Sequence, residues 1–106
     1  MGRRPYELKY AAEVPRHLGT IPRKHHSLIR RQIESQLGYE PESETRNRKP
    51  LLRPSLLGVV WELRCGPQNR FRVFYRVDRA RRQVYIVAVG LKIRDRLFVG
   101  GEEIAL

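Results

Sequence analysis

Three consecutive runs of strand-forming residues between Trp61 and Val89 constrain the fold of this chain more than any other feature. They read Trp-Glu-Leu-Arg, Arg-Phe-Arg-Val-Phe-Tyr-Arg-Val and Gln-Val-Tyr-Ile-Val-Ala-Val-Gly. Hairpin-length loops separate them, which predicts an antiparallel meander with strands near 59–65, 70–77 and 83–89. Arginines are threaded through two of these strands, and a guanidinium inside a sheet must be paired or must face an anion.

The residues before the meander predict one strand and two helices. Residues 6–10 alternate apolar and charged side chains, as strands do. One helix is expected over about 11–18, and a second to about Leu37, with Thr20 as its N-cap, Pro22 just inside it and Gly38 at its end. The second helix carries an apolar stripe at helical spacing, formed by Ile21, Leu28, Ile29, Ile33 and Leu37. These patterns predict one α+β domain over 1–106 of order β-α-α-β-β-β, with an antiparallel sheet backed by a two-helix hairpin and a short helical or irregular C-terminal element at 93–98.

The net charge of +11 is concentrated in the predicted sheet and its flanks. Residues 46–96 hold 14 lysines and arginines against three acids, whereas the remaining residues hold eight of each sign. Eighteen of the 22 basic residues are arginine, which suits bidentate phosphate contacts, although a coding bias toward arginine would give the same ratio. Coding bias does not explain the segregation of charge, so the pattern indicates a surface that binds a polyanion.

Several classes of protein do not fit the composition. A single cysteine, Cys65, rules out an internal disulfide and a cysteine-based zinc site, and it favours a reducing compartment, so the cytoplasm is expected. No stretch is long and apolar enough to span a membrane, and no signal peptide is expected. Because metal-ligand spacings are lacking, neither a metal nor another cofactor is expected.

Three segments of the meander carry a family resemblance. They are residues 57–64, 70–75 and 87–92, which contain Trp-Glu-Leu-Arg, Arg-Phe-Arg-Val-Phe-Tyr and Val-Ala-Val-Gly-Leu-Lys. In this order they resemble the RelE/ParE superfamily of bacterial toxins, whose topology covers essentially the whole chain. The resemblance implies a toxin of a type II toxin–antitoxin system held inactive by a cognate antitoxin. A toxin of this superfamily is either a RelE-like endoribonuclease acting on mRNA at the ribosome or a ParE-like inhibitor of DNA gyrase.

The RelE-like interpretation assigns roles to three basic residues. Metal-free cleavage by a 2′-hydroxyl needs a base, an acid and positive charge around the phosphate. Arg72 lies mid-strand, out of phase with the expected core residues, where the family's phosphate-stabilising arginine lies; the alternatives are a solvated strand face or a pair with Glu62. Arg64 would bind phosphate or pair with an acid. Lys92 matches the family's basic residue after the last strand, and neighbouring arginines disfavour its charged form, which suits proton transfer.

Other residues are expected to contact nucleic acid, and two of them, Arg94 and Arg96, are also alternates for the role of Lys92. A basic loop is expected to hold the RNA or ribosome backbone, unless it is a solvated loop; it contains Arg46, Arg48, Lys49 and Arg53. The ends of the second and third meander strands would add Arg70, Arg94, Arg96 and Phe98. His17, His25 and His26 lie on the helices, far in sequence from the basic sheet, and are expected to be surface or capping residues.

Two departures from the family pattern weaken the case for RelE-like cleavage. Ribonuclease members often carry a tyrosine near position 98, whereas Phe98 cannot exchange a proton. Glu62 stands where some ribonuclease members have a basic residue. Both departures keep two alternatives open, a gyrase inhibitor and a non-catalytic RNA-binding relative.

Overall fold

A computed structural model describes residues 4–51 and 59–104 of the chain. Within these residues, one strand and two helices precede six further strands, an order typical of an α+β protein. Two short 3-10 turns, Arg23–His25 and Pro67–Asn69, precede α2 and β4. The elements are β1 (Glu7–Tyr10), α1 (Val14–Leu18), α2 (His26–Leu37), β2 (Arg48–Pro50), β3 (Trp61–Cys65), β4 (Phe71–Asp78), β5 (Gln83–Ile93), β6 (Arg96–Val99) and β7 (Glu102–Ile104).

The predicted meander is confirmed, because β3, β4 and β5 pair antiparallel in sequence order. Across β3 and β4, Leu63 is opposite Val73 and Cys65 is opposite Phe71. These four side chains are buried in the main hydrophobic core. The alternation of apolar and charged residues therefore places one face of the meander in the core and the other face, with Arg72, on the opposite side.

The apolar stripe of α2 forms the helical half of the core. Its buried members, with Ile21 from the preceding segment, are Ile29, Ile33 and Leu37, whereas Leu28 is only partly buried. They pack on the sheet because residues three and four apart share one helix face. No helix in the described ranges is long and apolar enough to cross a membrane.

The segment between the two helices differs from the expectation. The α1 helix begins at Val14, three residues later than expected, with Pro15 in its first turn as expected. Thr20 does not cap α2, since its hydroxyl donates to the carbonyl of His17 at 2.7 Å. The chain instead turns through 3-10 geometry after Pro22, and α2 begins at His26. This turn places Pro22 and His25 beside the start of β4 and the end of β5.

The C-terminal part is a pair of strands, so the expected helical or irregular element at 93–98 is wrong. The β5 strand continues to Ile93, and Arg94 with φ of 57° makes the turn into β6. Gly100 and Gly101, with φ of 61° and 85°, form the turn into β7 in the backbone region that glycine occupies without strain. The sheet order is β2-β3-β4-β5-β6-β7.

One strand departs from the antiparallel arrangement. The β1 strand pairs parallel to the first half of β5, with Glu7 opposite Gln83 and Tyr10 opposite Ile86. Because β6 pairs with the second half of β5, β1 and β6 share one side of the longest strand. The end of β5, which carries Lys92, therefore lies between β6 and the residue before β4, Arg70.

Two side chains fasten the loop after α2 to the sheet. The Nη1 group of Arg48 donates to the carbonyl oxygens of Gln36 at 2.5 Å and Glu40 at 2.8 Å. The hydroxyl of Tyr75 donates to the carbonyl of Pro41 at 2.6 Å, and burial raises the pKa of that hydroxyl. Arg48 is only 8% exposed, so its guanidinium satisfies buried carbonyls at the end of α2.

Candidate nucleic-acid interface

A cleft of about 640 Å³ lies at the end of the sheet where β4 begins and β5 ends. Three segments meet there: the turn before α2, the 3-10 turn before β4, and the turn that follows β5. The residues of its wall are Pro22, His25, Gln68, Asn69, Arg70, Phe71, Arg72, Leu91, Lys92, Ile93 and Arg94. The sequence separation of these segments shows that only the folded chain assembles the cleft.

The cleft is cationic. Four basic side chains, Arg70, Arg72, Lys92 and Arg94, lie in its wall, and the described wall contains no aspartate or glutamate. All four were candidates from the sequence, and the fold brings them together. Like charges in a concave surface repel each other and attract a polyanion, since low-dielectric walls concentrate the potential. The arrangement suits a phosphate-bearing ligand.

The sheet register explains how Arg72 and Lys92 come to share the cleft. Arg72 lies opposite Gly90 on neighbouring strands, and Lys92 follows Gly90 by two residues on the same face. Gly90 itself is closely packed, since a Cβ atom there would lie only 3.0 Å from the side chain of Leu97 and 3.1 Å from that of Val99 on β6. A backbone hydrogen bond of 2.8 Å from the Lys92 amide to the Arg70 carbonyl holds the two strand ends together.

Arg72 is also one member of a buried charge cluster on the sheet face opposite the helices. Its Nη1 lies 3.3 Å from Oε1 of Glu62, and its Nε donates to the carbonyl of Asn69 at 3.0 Å. Arg64 contacts the same Oε1 atom through its Nε, also at 3.0 Å. Glu62 and Arg72 are 8% and 9% exposed in their side chains, whereas Arg64 is 38% exposed. The pair with Glu62, an alternative from the sequence, is therefore present, and Arg72 lines the cleft as well.

The residues of the expected basic loop do not share one environment. Arg46 and Lys49 are exposed beside the β2 edge, away from the cleft wall. The structure gives Arg48 a different role from the expected one, because its guanidinium is buried and holds backbone carbonyls. Arg53 lies outside the described residues. The loop therefore offers two exposed cations, Arg46 and Lys49, as a flank of the candidate interface.

Three further candidates lie near the cleft but outside its wall. Arg64 reaches it only through Glu62. Arg96 lies on β6 and makes an exposed ion pair of 3.6 Å with Glu103. Phe98 is partly buried on β6, opposite Leu91 of β5. None of the three is placed in the cleft wall, so the core of the candidate site is the group of four cations.

The histidines divide into two structural residues and one cleft residue. His17 is buried and its Nδ1 accepts from the Val89 amide at 3.3 Å; burial, aided by Arg16, lowers its pKa. His26 contacts the carbonyl of Ile21 through Nε2 at 2.8 Å. His25 occupies the N-cap position of α2, without a side-chain capping bond, and it also lines the cleft. Sequence distance hid it, because the 3-10 turn brings it to the strand ends.

An antiparallel sheet covered on one face by helices is consistent with the RelE fold. Comparison with solved structures supports this likeness of fold. The chain superposes on a chain of the crystal structure of the RelBE2 toxin–antitoxin complex of Mycobacterium tuberculosis with a TM-score of 0.64. The two are 26% identical, and the match covers 83% of this chain and 99% of that one. No family model and no curated protein matches the sequence.

Proposed function

We propose that this protein is the toxin of a toxin–antitoxin system and that it cleaves mRNA at the ribosome in the cytoplasm. The observation that carries the proposal is the acid-free cleft with Arg70, Arg72, Lys92 and Arg94 in its wall, set in a RelE-like fold. A phosphodiester substrate complements these four charges.

The proposed reaction is an attack of the RNA 2′-oxygen on the adjacent phosphorus. The O2′–P bond forms while the P–O5′ bond breaks, which leaves a 2′,3′-cyclic phosphate and a free 5′-hydroxyl. Arg72 stabilises the charge on the non-bridging oxygens. Its contacts with Glu62 and Asn69 use two of the five guanidinium donors, so the others are available to the phosphate. Lys92 gives a proton to the leaving 5′-oxygen.

Arg64 supports this reaction indirectly. It shares the Glu62 carboxylate with Arg72, so the three groups carry a net charge of +1 rather than an isolated pair of cations. This sharing fixes the Arg72 side chain before substrate binds, and preorganised charge stabilises a transition state better than mobile charge does. The exposed Arg46 and Lys49 would contact the RNA or ribosome backbone.

An antitoxin is the expected protein partner. The chain has a surplus of cations in the sheet region, so a segment that blocks the cleft is expected to be acidic or amphipathic. Such a segment would neutralise the four cleft cations and prevent RNA from entering.

A gyrase inhibitor is the second candidate. It is favoured by Phe98, which supplies no proton and lies outside the cleft wall. Purified protein would then inhibit DNA supercoiling and leave RNA intact, whereas a ribonuclease gives the reverse result. The two activities are separated by mapping RNA ends after induced expression and by assaying supercoiling with the same preparation.

The deciding experiment compares Arg72→Lys with Arg96→Ala. The first variant keeps a positive charge but loses the planar donor set, and we expect its cleavage rate to fall about 10²- to 10³-fold. The second removes an exposed arginine on the neighbouring β6 strand, outside the cleft, and should cleave within about twofold of wild type. A folded Arg72→Lys protein that cleaves mRNA and arrests growth as wild type does would contradict the proposal.

A further inference from the structure

We propose that His25 is a catalytic base of the cleft, which takes the proton from the attacking 2′-hydroxyl. This inference rests on the proposed ribonuclease function and completes it, because the described cleft wall has no carboxylate that could serve as a base. Imidazole is the side chain that both accepts and releases protons near neutral pH.

The fold holds His25 firmly at the cleft. Its backbone amide donates to the carbonyl of Pro22 at 3.0 Å, which closes the 3-10 turn. Ile21, one residue before Pro22, is buried in the core, and His26 contacts the Ile21 carbonyl. The His25 ring lies 5.0 Å from the ring of Phe71, tilted by 50°. Because Phe71 is fully buried in the close-packed core, the imidazole packs against a side chain with little room to move.

The three histidines differ in what their ring nitrogens do. His17 and His26 use a ring nitrogen in a hydrogen bond with the backbone. The ring contact of His25 is with Phe71, and within the described residues neither of its ring nitrogens has a hydrogen-bond partner. A histidine that is held by its backbone and by ring packing keeps its nitrogens available to a ligand in the cleft.

The charges around His25 suit its role as a base. The groups that face it across the cleft or flank it on its own turn are all basic: Arg70, Arg72, Lys92, Arg94, Arg23 and Lys24. These cations attract an RNA phosphate into the cleft beside the ring, and the bound phosphate offsets the positive charge that proton transfer places on the imidazole.

The proton transfers balance within the cleft. The imidazole of His25 takes the 2′-hydroxyl proton as the O2′–P bond forms, and the ammonium of Lys92 donates a proton to O5′ as the P–O5′ bond breaks. Solvent then removes the proton from His25 and returns one to Lys92, so no other reactant is required. Arg72 holds the non-bridging oxygens throughout.

The test uses the full-length protein with His25→Gln, and His26→Gln as the matched control. Single-turnover cleavage of a model mRNA on ribosomes is measured between about pH 5.5 and 8.5, the range over which imidazole titrates. We expect His25→Gln to cleave about 10²- to 10⁴-fold more slowly and to lose the acidic limb of the rate profile. Its affinity for a non-cleavable 2′-deoxy analogue should stay within about threefold of wild type, since the cations still bind phosphate. His26→Gln keeps a side-chain N–H that can donate to the Ile21 carbonyl, so the turn stays anchored and this variant should retain the wild-type profile.

Two further measurements separate a catalytic role of His25 from an effect of the substitution on folding. Thermal unfolding reports whether each variant is folded, and free imidazole is added to His25→Ala, where we expect it to restore part of the cleavage. If His25→Gln keeps the wild-type rate and pH profile, the role of His25 is overturned and the proposed function is not. An equal loss of affinity and rate would make His25 a binding residue, which also overturns it. Wild-type protein that leaves RNA intact would overturn the proposed function together with the role of His25.

Discussion

Replacement of Glu62 by alanine should weaken the fold and strengthen RNA binding at the same time. Glu62 is the shared acceptor of Arg72 and Arg64, and its side chain is 8% exposed. Its removal leaves Arg72, itself 9% exposed, with only the Asn69 carbonyl as a described partner. An uncompensated buried cation is unfavourable in the folded state, whereas the same guanidinium is fully hydrated in the unfolded chain.

The two ion pairs set the magnitude. Loss of one partner from a buried pair costs about 3–5 kcal/mol, and the Asn69 hydrogen bond offsets part of this cost. Arg64 is 38% exposed, so its pair adds less than about 1 kcal/mol. We therefore expect the free energy of unfolding to fall by about 3 kcal/mol, which for a domain of this size lowers Tm by about 12 °C.

The assay measures urea unfolding and RNA binding on the same preparations. Removing one negative charge beside the cleft should tighten RNA binding about two- to fivefold at moderate salt. The control is Glu103→Ala, which removes an exposed carboxylate paired with Arg96 and should change stability by less than about 1 kcal/mol. The double variant Glu62→Leu with Arg72→Met should recover most of the lost stability, because apolar residues of similar volume replace buried pairs well. If Glu62→Ala unfolds at the same urea concentration as Glu103→Ala, the buried cluster does not contribute as argued.

Three further predictions concern residues outside the cleft. Arg48→Ala should lower the free energy of unfolding by about 2–3 kcal/mol in urea titrations with RNA affinity unchanged, because it removes the guanidinium that donates to the carbonyls of Gln36 and Glu40. Because the pKa of His17 is lowered in the folded state, its contribution to stability is complete above about pH 6.5, the ordinary pKa of histidine. Below that pH the free energy of unfolding should fall by up to about 1.4 kcal/mol per pH unit until the folded-state pKa is reached. Unfolding of wild type and His17→Gln measured across pH checks this, and the variant should lose the dependence. Burial raises the pKa of the Cys65 thiol to about 11, so iodoacetamide at about pH 8 should modify the native protein over a hundredfold more slowly than the urea-unfolded chain, and equal rates would contradict the burial.

The sequence predicts the meander well because its physical signal is local. Alternation in β3 and β4 decides which side chains are buried, and Leu63, Phe71 and Val73 lie in the core as their phase requires. The same alternation placed Arg72 on the opposite face. It could not show whether the guanidinium binds a carboxylate or faces a ligand, because that depends on Glu62 of the neighbouring strand and on the depth of the side chain.

The errors in prediction come from turns and from distant contacts. The turn through Arg94 lacks the glycine or asparagine that usually marks a tight hairpin, so β6 was not recognised. The Gly100-Gly101 pair does carry a turn signal, and it forms the turn between β6 and β7. His25 joins the cleft through a 3-10 turn that residue periodicity does not encode. The basic residue Arg48 illustrates the limit of charge counting, since its guanidinium serves the backbone rather than the surface.

The parallel pairing of β1 with β5 has a consequence for folding during synthesis. The residues they join, such as Glu7 and Gln83, are 76 positions apart. At about 5–20 residues per second, a nascent β1 strand would remain unpaired for roughly 4–15 s after it is synthesised. The strand that pairs with β1 also carries Lys92. A chain whose synthesis stops before β5 therefore lacks the complete cleft. A cell that makes such a protein therefore exposes itself to the assembled cationic cleft only when synthesis has passed β5, and the interval before that is open to a partner that binds unfinished chain.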